Sequence, residues 1–231
     1  MEMDVVQAVA QHAEEEMGRE EFQQISAVVA SCKMLALQLE GQENDSGEAG
    51  DMEGSGDAEE TGTTTIDMEA LVLAGYLHDI SVTAHGYQGH HVKSAELAVE
   101  FLRELDVPAG RISRVEQAIL AHTTRVPPEQ RHSVPLEGRI LYDATNLGHL
   151  SGLAVVTALI EFGARYREQY RNRKINGEIL SAVLRHMEER FIELYQSLYT
   201  APARELAREK FDRTLAFIDG VIEHLSDATP V

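Results

Sequence analysis

The sequence predicts an all-α protein, and three observations carry that prediction. Apolar residues recur at helical spacing in segment after segment, with no run of strict alternation that would signal a strand. The densest run of glycines and acids, residues 41–65, and the loop prolines Pro127, Pro128 and Pro135 fall between those segments. No internal repeat is present. A chain of 231 residues with 43% hydrophobic content is long enough for one substantial core, and the expectation is a single bundle of about nine helices spanning residues 1–231.

Residues 4–17 read as a short amphipathic helix closed by Gly18. A second helix over 20–40 places Phe22, Ile25, Val28, Val29, Cys32, Leu35 and Leu39 at helical intervals. Residues 41–65 lose all periodicity and hold six glycines; eight acids and no Lys or Arg fall within 41–60. Such a composition buries too little apolar area to offset its ordering entropy, so a flexible, disordered acidic insertion is expected here. The third helix, about 67–79, is apolar almost all round and should be fully buried. After a Gly-punctuated loop, a fourth helix covers 90–105 and a fifth 111–122, separated by the turn at Asp106 to Gly110. A loop with three prolines leads into a sixth helix from about Leu136. Helical patterns over 152–170, 177–198 and 202–226 complete the chain, with the region 150–231 expected to pack on the same core. Thr200 is a candidate N-cap, and Pro202 sits in the first turn, where a missing N–H does no harm.

Composition excludes several classes of protein. The single cysteine, Cys32, rules out an internal disulfide framework, and its place in an apolar helical pattern marks a buried thiol. No apolar run approaches the ~20 residues of a membrane span and no leader pattern opens the chain, so a cytoplasmic location is expected. The formal charge of -19 argues against binding to nucleic acid polymers or anionic membranes. An anionic small substrate would need a metal or a few placed cations.

Residues able to carry chemistry gather at helix ends. His78 and Asp79 close the apolar third helix, His91 opens the fourth, His122 closes the fifth, and Asp143 lies inside the otherwise apolar Arg139-Ile140-Leu141-Tyr142-Asp143-Ala144. An unpaired carboxylate in that setting is costly and requires a cation or hydrogen-bond donors. Imidazole and carboxylate together suit zinc, iron or manganese. Of the other histidines, His85, His90 and His149 read as polar neighbours or supporting partners of such a site.

The ordered set Leu77-His78-Asp79-Ile80, His91-Val92-Lys93-Ser94-Ala95, Val115 to His122 and Pro135 to Ala144 resembles the HD-domain metal-dependent phosphohydrolases over roughly residues 20–226. The closing segment Leu198 to Arg204 is similar to that of a small bacterial subgroup. The resemblance implies a helical fold and a divalent ion, with Mn, Fe, Zn and Mg all open. It implies His78, Asp79, His91, His122 and Asp143 as ligands, with Gln24 in place of the family's first histidine. It further implies hydrolysis of a small phosphate ester or nucleotide by metal-activated water, with Asp79 in the catalytic group and Lys93 or Arg139 neutralising the phosphate. A homodimer is allowed by this reading.

Two departures bear on it. Glu21 to Ile25 offers no histidine, and the family subgroup's Asp-Ala-Asp-Lys-Leu-Asp becomes Asp143-Ala144-Thr145-Asn146-Leu147-Gly148. Three readings therefore stand together: a metal-dependent phosphohydrolase, a catalytically degraded HD module with a ligand-binding or structural role, and an oxidative di-iron enzyme. The last needs six ligands and is disfavoured by Gln24.

Overall fold

In the computed structural model, residues 4–47, 65–171 and 174–227 are described. Among them the chain forms ten α-helices and one 3-10 helix, with no strand. The packing divides it into two compact units, one up to Thr145 and one from Asn146 onward. The sequence alone reads as one domain, because helical periodicity does not say which apolar faces share a core.

In the first unit α1 (Val5–Met17) ends at Gly18, whose φ of 85° is open to glycine, and α2 (Arg19–Gly47) follows at once. The second helix runs beyond the expected end at Glu40, since a helix already nucleated extends through Gln42, Glu43 and Asn44 at little cost. Most of the expected acidic insertion, residues 48–64, lies outside the described residues. α3 (Met68–Leu77) is the centre of the unit, packed against α1, α2, α5 and α6. Seven of its ten residues are buried, as an apolar circumference requires. Where a loop is expected after Asp79, a single helical turn, α4 (Val82–His85), intervenes before α5 (His90–Glu104). α6 (Ala109–Ala121) packs back on α5 through the turn at Asp106, and α7 (Leu136–Leu147) follows the 3-10 helix Pro128–Ser133.

Two glycines set how closely these helices approach. A Cβ on Gly75 would lie 2.9 Å from Val29 Cγ2, so α3 touches α2 almost backbone to side chain. A Cβ on Gly138 of α7 would lie 2.7 Å from Ala121 Cβ at the end of α6.

The second unit holds α8 (Gly152–Gln169), α9 (Gly177–Ser197) and α10 (Ala201–Asp227). Val155, Leu184, Ile218 and Ile222 form its core, with the Phe191 and Phe211 rings stacked 5.2 Å apart. Thr200 Oγ1 accepts from Ala203 N–H at 3.3 Å and caps α10.

Candidate metal centre

The helix α3 delivers the His-Asp pair and is anchored at both ends. At its start Asp67 accepts the Ala70 N–H at 3.0 Å and Arg111 Nε at 3.2 Å. The Asp67 carboxyl is consequently held below its ordinary range: partial burial pushes it up, but the Ala70 N–H and the Arg111 guanidinium outweigh that. At its end the chain turns through His78 and Asp79 into α4. Ser81, fully buried in that turn, donates its hydroxyl to His90 O at 3.1 Å, while its N–H reaches Ser94 Oγ at 3.2 Å. Ser94 Oγ in turn donates to Ser81 Oγ at 2.9 Å. These two serines clamp the first turn of α5 against the His-Asp turn.

Three imidazoles are oriented in the same way. His78 Nδ1 lies 2.9 Å from Gly75 O, His90 Nδ1 2.8 Å from Tyr87 O, and His122 Nδ1 2.5 Å from Ile119 O. A carbonyl oxygen only accepts, so each Nδ1 carries a proton, and a ring that holds only that proton presents an Nε2 lone pair on its other side. Those three Nε2 atoms converge on Asp79: His78 is 3.5 Å from Oδ2, and His90 and His122 are 3.1 and 3.7 Å from Oδ1. The Nε2 atoms of His90 and His122 face each other at 3.3 Å.

This arrangement fits a cation. With both rings protonated at Nδ1 only, the two Nε2 lone pairs at that separation repel unless a positive charge lies between or beside them. Asp79 Oδ1 is buried and, for all its near neighbours, has no hydrogen bond of acceptable geometry among the described residues. Donor atoms of His78, Asp79 and His122 lie within 4.8 Å of one another, with two of the three residues buried. Backbone carbonyls behind metal-facing imidazoles are the usual means of fixing their tautomer. The ionisation states agree. Burial pulls His78 down to about 4 against the opposing charge of Asp79. Burial would raise Asp79, but a hydrogen bond from His122 and the positive charge that His78, His122 and His90 carry when protonated hold it at about 2. At neutral pH the site therefore presents a neutral imidazole at His78 and an ionised carboxylate at Asp79, the forms that bind metal.

The structure redistributes several of the expected roles. His78, Asp79 and His122 come together. His91 does not join them: successive helical residues point about 100° apart, and with Gly89 (φ 69°) preceding the helix, it is His90 that faces Asp79. The His91 ring stands edge-on to that of His90 at 5.8 Å. Gln24 is exposed on α2, whose buried residues here are Ile25, Val29 and Cys32, so it does not stand at the cluster. Lys93 is exposed and paired with Glu96 at 3.0 Å. Asp143 is fully buried on α7 and, like His90, is outside the mutual 4.8 Å group formed by His78, Asp79 and His122. It acts on Cys32, whose thiol is pushed up to about 12 by burial first and by the Asp143 charge second. Arg139, half-buried one turn before Asp143, has a buried Nε with no hydrogen-bond partner among the described residues. Sequence reasoning gives His90 only a supporting part and passes over Ser81 and Ser94. A His-His dipeptide following a glycine is the only signal for the first, and nothing marks the serines.

Fold and site together define a helical protein in which a His-Asp dipeptide, joined by imidazoles from two further helices, forms a buried metal-type cluster. The chain belongs to the HD domain family, whose model matches residues 27–147. Its fold is similar to that of an HD-superfamily hydrolase from Bacillus thuringiensis, at 17% identity and a TM-score of 0.60, with 97% of this chain and 95% of that one covered. A predicted HD-superfamily hydrolase from an uncultured Thermotogales bacterium is similar at 16% identity and 0.53, covering 94% and 91%. A protein from Lactobacillus plantarum is similar at 16% and 0.60, covering 96% and 97%. No curated protein matches the sequence.

Proposed function

We propose that the protein is a divalent-metal-dependent hydrolase of a small phosphate ester or nucleotide. The observation that carries this reading is the convergence of three Nε2 lone pairs on the ionised Asp79. His78, His90, His122 and Asp79 would hold the ion. When bound, a divalent ion in such a site supplies Lewis acidity, generating hydroxide from water near neutral pH and offsetting phosphoryl charge. The protein's own contribution is positional. The Gly75, Tyr87 and Ile119 carbonyls keep the protons on the far ring nitrogens, and the Ser81–Ser94 pair holds α5 and His90 against Asp79. Lys93, with its Glu96 partner, is better placed to act as a solvated charge than as a phosphate clamp. Arg139, with its unsatisfied Nε, is the cation better suited to an anionic substrate.

A second reading, a catalytically degraded HD module with a ligand-binding or structural role, is favoured by one observation. No histidine stands on the buried face of α2, and His12 of α1 is instead stacked on Phe101 at 3.8 Å.

Metal analysis by mass spectrometry of the protein soaked in manganese, iron or zinc, followed by a phosphatase and nucleotidase screen, tests both. The expected result is one or two tightly held ions per chain, lost in Asp79→Ala, with turnover that depends on them. Metal without turnover leaves the second reading. Wild-type protein that binds no metal refutes the hydrolase reading and leaves a helical HD module with a binding or structural role.

A further inference from the structure

The helix α8 carries an apolar face that its own unit does not use. From Gly152 to Ile160 it holds no charged residue, yet Val155 is its one buried position. Val155, with the half-buried Leu159, points into the core formed with Leu184, Ile218 and Ile222. On a separate face Leu153, Val156 and Ile160 are 75, 44 and 68% exposed, at the i, i+3, i+7 spacing of a helix-packing seam. Gly163 continues the same seam, and a Cβ built there meets nothing within 4 Å, so the surface above it is an open notch. Beside the seam a groove of about 420 Å³ is lined by Val156 of α8 and Phe217, Lys210 and Arg213 of α10.

We propose that α8 is a self-association face on which a second copy of this chain packs antiparallel across a two-fold axis. The seam is complementary to itself. The pairs 153/163 and 156/160 share one midpoint, so a single two-fold axis there seats Leu153 of each copy over Gly163 of the other and sets Val156 against Ile160. An interface of this kind is isologous and closes as a dimer. Charge favours a second copy at this unit. Residues 146–231 carry eleven Lys and Arg against twelve Asp and Glu and are close to neutral, whereas nearly all of the -19 lies in residues 1–145. Two copies can therefore meet through their second units without the repulsion that first units would meet with. The area is of the right order. The four exposed side chains, Phe217 included, offer on the order of 400 Å², taking roughly 150–250 Å² for a fully exposed aromatic side chain and the lower end of that range for Leu, Ile and Val. That is about half of the ~800 Å² each partner contributes to a standard interface, the remainder coming from the flanks of the two helices.

Sedimentation velocity of the full-length protein over a range of concentrations tests the proposal, together with three variants. Wild type is expected to be a dimer. Ile160→Glu should be monomeric with an unchanged circular dichroism spectrum and melting temperature. Gly163→Leu fills the notch and should weaken the dimer by at least tenfold, while raising the melting temperature of the monomer because a helix glycine is removed. Thr157→Cys, exposed beside the axis, should form an interchain disulfide on mild oxidation. A monomeric wild type overturns the proposal, as does a dimer indifferent to Ile160→Glu. So does a large loss of melting temperature in Ile160→Glu, which would mean that the seam packs within its own chain. Association of the wild type with phosphatidylcholine vesicles through this face, lost in Ile160→Glu, would also overturn it.

Discussion

Replacing Gly138 by alanine should destabilise the protein and weaken metal binding at once, against the ordinary expectation for a helix glycine. In a helix interior the change normally stabilises by about 1 kcal/mol. Here the new Cβ would lie 2.7 Å from Ala121 Cβ, about 0.7 Å inside the closest ordinary contact, with the Ala118 Cα and O behind it at 3.6 and 3.7 Å. Neither Cβ sits on a rotatable bond, so no rotamer change relieves the overlap and α6 and α7 must part. Overpacking of this kind costs about 1–3 kcal/mol. After the propensity gain, a net loss of up to about 2 kcal/mol is expected, or up to roughly 8 °C in melting temperature for a protein of this size. His122 directly follows Ala121, so the same displacement shifts its Nε2 and should lower metal affinity. Scanning calorimetry in chelator separates the stability effect, and manganese titration reads the affinity. Ala121→Gly combined with Gly138→Ala should recover both quantities, because the double change restores the space. A Gly138→Ala melting temperature equal to or above wild type in chelator would refute the packing argument.

Other perturbations probe the supports of the cluster. Ser94→Ala leaves the buried Ser81 N–H without its acceptor and should cost about 1–3 kcal/mol. It should also weaken metal binding about tenfold through His90, as loss of an outer-shell partner does; unchanged affinity in a calorimetric titration would confine Ser94 to stability. Asp67→Ala removes the α3 cap and the Arg111 partner, and should cost about 1–2 kcal/mol at neutral pH. Its pH dependence has a definite sign. The folded-state pKa of Asp67 is lowered, so its contribution is present above the ordinary carboxylate value of 3.8 and is lost as pH falls through the folded-state value. Urea melts of wild type and Asp67→Ala should therefore converge in acid, and a constant gap down to pH 2.5 would show that the carboxylate charge contributes nothing.

How far these features were legible in the sequence depends on what kind of physics sets them. Helix existence follows from apolar periodicity and capping chemistry, which are local, and the stop at Gly18 and the cap at Thr200 were readable for that reason. His78, Asp79 and His122 were readable too, since each ends a helix whose interior is apolar and a polar side chain there has to face something. Which of His90 and His91 points inward was not readable, because it turns on about 100° of helical phase. That phase is set by the Gly89 backbone and by the Ser81–Ser94 contact thirteen residues apart. The placing of Gln24 turns on the same ground: it neighbours Ile25 in sequence, yet Ile25 lies on the buried face and Gln24 is exposed. The α8 seam shows the converse limit. Its apolar residues read as core by periodicity, and only packing reveals that one face of the helix is used by its own unit while another is left exposed. A helix apolar on more faces than its own fold can cover is destabilised by exposure unless a surface outside that unit covers it. An exposed seam that fits its own two-fold image, on the nearly neutral half of a strongly acidic chain, is most simply covered by a second copy.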